Sequence, residues 1–144
     1  MASSVFPDIN VWLAMASSAH VHHVQARTWY ESLRGDEGLI FCRFTQLGLL
    51  RLLTTSGAMG NRVKTQRQAW EIYDEFLFAG NARLMPEPLL LDESFRRLAN
   101  LNLASPKDWA DSYLAAFARE AAITLVTFDK ALAGRAPRAV LLKG

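Results

Sequence analysis

The chain has 144 residues, the size of one domain long enough to bury a core. With 51% of residues apolar and 21% charged it is too hydrophobic for a disordered chain, and no apolar run approaches the roughly 20 residues a membrane-spanning helix needs. The net charge of +2 conceals an uneven layout: no acid stands between Glu37 and Glu71, where Arg43, Arg51, Arg62, Lys64 and Arg67 all fall.

The first residues lack the basic region and small-residue cleavage site of a signal peptide, and Cys42, the single cysteine, excludes an internal disulfide or a thiolate metal cage. A cytoplasmic protein is the expectation. Val5 to Asp8 reads as a short strand entering a helix over Asn10 to Ala16, with Asp8 or Asn10 as its cap. A second helix is expected from His20 to Leu33, opened by the run "HVHH". "RGDEG" makes a turn and "LIFC" a short buried strand. "TQLGLLRLLTT" reads as helix, "SGAMGN" as a glycine-rich loop, Thr65 to Ala79 as helix, and "ARLMP" as a strand.

Leu89 to Leu101 is expected to be helical. In "SPKD", Ser105 suits an N-cap, Pro106 the first helical position and Asp108 the capping-box partner of a helix running to Ala121. "ITLVTFD" and "AVLLK" close the chain as strands. Strands alternating with helices predict an α/β fold: one domain over residues 1–144, with a central, mostly parallel sheet flanked by helices on both faces. Ligands of such sheets sit beyond the carboxyl ends of the strands, where Asp8 and Asp129 would both be delivered.

Asp8 interrupts the apolar run "VFPDINVWLAMA", where a carboxylate is costly unless something compensates it. From Asp111 the same helix face carries Leu114, Ala115 and Ala118, so Asp111 is expected to face inward. Neither acid has a lysine or arginine adjacent in sequence. Three carboxylates brought to one sheet edge repel each other, and such a cluster persists best around a hard divalent cation. Mg²⁺ or Mn²⁺ held by carboxylates and waters suits phosphoryl chemistry. The acid-free segment, with Arg43, Arg51 and Arg62, is a candidate surface for gripping a nucleic-acid backbone, or simply a solvated helix face. His20 and His23 stand three apart without a nearby cysteine, so they are read as opening the second helix rather than as a zinc site.

Four pieces in order, "PDINVWLA", "TQLGLLRLLT", "ADSYLAAFA" and "LVTFDKAL", resemble the PIN-domain ribonucleases, and specifically the VapC toxins of bacterial toxin–antitoxin pairs. The resemblance implies a Rossmann-like PIN fold and a Mg²⁺- or Mn²⁺-dependent endoribonuclease that leaves 5′-phosphate and 3′-hydroxyl ends. It also implies a cognate antitoxin and a homodimer, for which Trp109 and Tyr113, opposite Asp111 on their helix, are the candidate contacts. By the same resemblance Asp8, Asp111 and Asp129 match the acidic metal ligands, and Thr127 matches the hydroxyl residue that orients Asp8. Where the family carries a glutamate on the middle helix, this chain has Gln46. That departure leaves a second reading open, a catalytically weakened scaffold that binds RNA or an antitoxin.

Overall fold

The computed structural model describes residues 3–144, which hold five strands and eight helices. The strands are β1 (Ser4–Pro7), β2 (Gly38–Phe41), β3 (Ala82–Leu84), β4 (Thr124–Thr127) and β5 (Ala139–Leu141). All pair in parallel, in the order β3-β2-β1-β4-β5. The α/β expectation is met, with an entirely parallel sheet.

Strand residues alternate between two cores, as the period of two requires. Val5, Leu39, Phe41 and Val126 face helices α1 (Ile9–Ala16), α2 (His23–Glu31), α3 (Arg43–Leu53) and α5 (Gln66–Phe78). Phe6, Ile40 and Leu125 face α6 (Leu91–Leu98), α7 (Asp108–Ala121) and α8 (Lys130–Ala133). Trp12, fully buried, stacks on Phe41 with ring centroids 3.7 Å apart and anchors the first core.

Several boundaries differ from the sequence reading. "SGAMGN" is not an open loop: it holds the one-turn helix α4 (Ser56–Met59) and a 3-10 turn, Gly60–Arg62, with Gly60 at positive φ. The last long helix begins at Asp108, and neither Ser105 nor Asp108 caps it; the cap position is Lys107, without a side-chain bond. The short α8 after Asp129 was not foreseen.

The chain leaves β1 outward through β2 and β3, then returns to place β4 on the other side of β1. The order reverses between β1 and β4, and a ligand crevice opens beyond the carboxyl ends of strands at such a point. The Asp8 N–H donates to the Val126 carbonyl (2.9 Å), fixing the two strand ends side by side.

Candidate active site

Asp8 follows β1 and is buried, with 7% of its surface exposed. It caps α1: Oδ1 accepts from the Val11 N–H (3.0 Å). Oδ2 accepts from the Thr127 hydroxyl (2.5 Å), the orienting bond the resemblance implied. Thr127 Oγ1 in turn accepts from the Asp129 N–H (2.9 Å), so one hydroxyl ties together two of the three acids. Burial pushes the Asp8 carboxyl above its ordinary value; Thr127 and the Val11 N–H pull it back, and the Asp129 charge raises it further.

Asp129 ends the β4 segment and caps α8, its Oδ1 accepting from Ala131 and Leu132 N–H groups at 2.9 and 3.2 Å. Both capping bonds fall on Oδ1. Asp111, half-buried in the first turn of α7, is also pushed upward, first by burial and then by the Asp129 charge, while Arg135 opposes both. Its inward placement agrees with the buried Leu114, Ala115 and Ala118 on the same face.

The structure therefore brings Asp8, Asp129 and Asp111 to one edge as a chain of neighbours. Among the described residues no three His, Cys, Asp or Glu side chains close around a single point. The acids form an open set, not a cage. An open set of hard oxygens is compatible with Mg²⁺, which keeps several waters and is not bound in all-protein cages. Hard carboxylate oxygens also suit Mn²⁺ and exclude a thiolate-seeking metal.

Gln46 is buried on the first turns of α3, but its Oε1 accepts from Arg43 Nη1 (2.6 Å). Tyr73 stands beside the same amide. Gln46 is thus engaged as an arginine acceptor. Arg43 itself opens α3 directly beyond β2, at the carboxyl edge of the sheet. Arg51 lies about two turns further along α3, roughly 12 Å of helix away. Arg62 donates to Ser18 Oγ (3.1 Å), just past the C-terminus of α1. Of the three arginines, Arg43 stands at the carboxyl edge of the sheet, where the acids also lie.

The absence of a cation near Asp111 in sequence did not carry into three dimensions. Arg135, which no pattern singled out, ion-pairs with Asp108 and donates to Ser112 Oγ (2.8 Å) and the Leu98 carbonyl (3.1 Å). It follows an unforeseen helix, so spacing offered no route to it. His22 stacks on Phe128, centroids 4.6 Å apart, and His23 Nδ1 contacts the Ala14 carbonyl (2.7 Å), which places His22 beside the Asp129 segment, while the second helix begins at His23 rather than His20.

A PIN domain family model matches residues 5–136. The chain belongs to the PIN-domain family. This PIN domain is 43% identical over 128 residues to Ribonuclease VapC41 of Mycobacterium tuberculosis, covering 86% of this chain and 88% of that one, so it stands among the VapC ribonucleases. Two solved structures share its fold. A VapC20 structure from M. tuberculosis, described as a sarcin–ricin loop cleaving toxin, aligns with TM-score 0.65 at 17% identity, covering 90% of this chain and 93% of that one. VapBC2 of Rickettsia felis, bound to a promoter DNA fragment, aligns with TM-score 0.68 at 14% identity, covering 96% and 98%.

Proposed function

We propose that this chain is a Mg²⁺- or Mn²⁺-dependent endoribonuclease, the toxin of a toxin–antitoxin pair. One observation carries the reading: Asp8, Asp129 and Asp111 converge beyond the β1–β4 reversal in a chain 43% identical to Ribonuclease VapC41. VapC ribonucleases depend in general on a divalent metal.

Asp8, Asp111 and Asp129 would hold the ion. It supplies activation of water at neutral pH and stabilisation of charge developing on the phosphate. The remaining work belongs to the protein. Thr127 holds Asp8 in one rotamer through its hydroxyl and the α8 cap fixes Asp129, so the two carboxylates do not reorganise when substrate arrives. Gln46 holds the Arg43 guanidinium at the rim, where it would meet an RNA phosphate. Cleavage would leave a 5′-phosphate and a 3′-hydroxyl.

The antitoxin would cover the crevice with a basic side chain complementary to the acids. In a homodimer, Trp109 is available at 60% exposure, whereas Tyr113 is half-buried. Its ring packs on Phe44, Phe95 and Phe117, and its hydroxyl donates to Glu87 Oε2 (2.7 Å). Burial, then Glu87, drives that phenol well above its ordinary value.

The test is cleavage of defined transfer and ribosomal RNAs by antitoxin-free protein in Mg²⁺, Mn²⁺ or EDTA, beside Asp8→Asn purified identically. Cutting that requires metal and disappears in the variant supports the nuclease. Absence of cutting together with absence of calorimetric Mn²⁺ binding moves the reading to the non-catalytic scaffold.

A further inference from the structure

A fourth carboxylate stands beside the acidic edge, and it is already engaged. Asp108 opens α7 one turn before Asp111, a spacing that sets side chains side by side on one helix face. Arg135 ion-pairs with Asp108 Oδ1, while Ser112 Oγ donates to Asp108 Oδ2 (2.7 Å). The same guanidinium reaches Ser112 Oγ (2.8 Å) and the Leu98 carbonyl (3.1 Å), so it joins α6, α7 and the turn after α8. The pair is largely shielded, with side-chain exposures of 26% and 17%.

We propose that Arg135 is a positioning residue that withholds Asp108 from the metal site and so keeps the ion at the edge formed by Asp8, Asp129 and Asp111. The proposal rests on the metal-dependent reading above. Its physical basis is a competition. A divalent cation is drawn to the greatest local density of carboxylate oxygen, and an unpaired Asp108 would pull it one helical turn from Asp8 and Asp129. Bound by Arg135, the Asp108 carboxylate is neutralised and its oxygens are occupied. The fork of the guanidinium matters as well as its charge. It spans two side-chain acceptors on α7 and the Leu98 carbonyl of α6, which a lysine ammonium does not match in geometry.

This predicts an uncommon direction of effect: loss of a cation should tighten metal binding and slow the reaction. Mn²⁺ is titrated calorimetrically into wild type, Arg135→Met, Asp108→Asn/Arg135→Met and Asp111→Asn, with kcat and KM measured on one RNA. Arg135→Met is expected to bind Mn²⁺ about threefold or more tightly because one further carboxylate is released. Its kcat is expected to fall by about tenfold or more through displacement of the ion. Removing Asp108 as well should return the Mn²⁺ affinity to about the wild-type value, since both partners of the pair are then gone. Weaker or unchanged Mn²⁺ binding in Arg135→Met overturns the proposal, as does a double variant that stays tight. A fall in melting temperature with unchanged Mn²⁺ affinity would show a purely structural arginine. A rise in KM and a flatter salt dependence at unchanged Mn²⁺ affinity would show an RNA contact. Asp111→Asn reports on the underlying site by itself: if it binds Mn²⁺ as wild type does, the metal-site assignment fails, and the role of Arg135 with it.

Discussion

Asp8 performs two tasks that pull its stability contribution in opposite directions. As the α1 cap it satisfies a helix-end N–H, yet as a buried carboxylate it lacks the water that would favour its charge. A carboxyl held above its unfolded-state value binds more protons in the folded chain. Stability therefore declines as pH rises from the ordinary carboxylate range through the raised folded value, and the ionised form is a cost at neutral pH. Asp8→Asn keeps a capping oxygen and removes the charge, so in EDTA it should melt at a higher temperature than wild type, with the gap wider at pH 8 than at pH 5. A gap that narrows with pH would contradict the raised value. Asp8→Ala removes the charge and the cap together and should be about 1 kcal/mol less stable than Asp8→Asn in chemical denaturation. Added Mn²⁺ should stabilise wild type and leave Asp8→Asn unchanged.

Residue chemistry was partly visible before the fold. Asp8 stood out because an acid in an apolar run needs a reason, and Asp111 because its helical neighbours are apolar. Asp108 was misread for a local reason: "SPKD" fits a capping box, but the backbone forms a turn through Pro106 and Lys107, and the helix starts at Asp108 itself. Its true partner, Arg135, is 27 residues away. Long-range pairing of that kind has no periodicity to betray it.

At the scale of elements, α3 is the piece that sets Gln46 and Arg43, and its seat is shaped by Gly48. A Cβ there would lie 2.2 Å from Ile9 Cδ1 and 2.6 Å from Cγ1, so α3 lies directly against the first residue of α1. Gly48→Ala should cost about 1–3 kcal/mol by urea denaturation, the usual range for overpacking. The cost should shrink in an Ile9→Ala background, where the clashing atoms are absent; equal costs in both backgrounds would place the strain elsewhere. The helix itself was legible in "TQLGLLRLLTT", whereas the direction of its glutamine toward Arg43 depended on the first turn. There Thr45 Oγ1 accepts from the Cys42 N–H (3.0 Å) and starts the helix two residues earlier than the leucines suggested.

For the whole molecule, the acid-free segment between Glu37 and Glu71 holds arginines in two situations, with Arg43 at the carboxyl edge and Arg62 already engaged on Ser18 after α1. Each phosphate contact to single-stranded RNA contributes a slope of about 0.7 in log affinity against log salt. Arg43→Ala should therefore weaken RNA binding and flatten that slope by about 0.7, while Arg62→Ala leaves it nearly unchanged. Loss of slope on replacing Arg62, and none on replacing Arg43, would reverse the assignment of the binding rim.

The sequence by itself determined the alternation of strands and helices, the apolar faces that make two cores on one sheet, and the acids placed at strand ends. These are properties of periods and neighbours, and they survive in any window of a dozen residues. Only the tertiary structure decided which carboxylates act together. The reversal between β1 and β4 sets Asp8 beside Asp129, Thr127 links the two, and Arg135 engages Asp108. Charges separated by a hundred residues of chain interact only when packing brings them within a few ångströms and removes the water between them, and no local pattern encodes that distance.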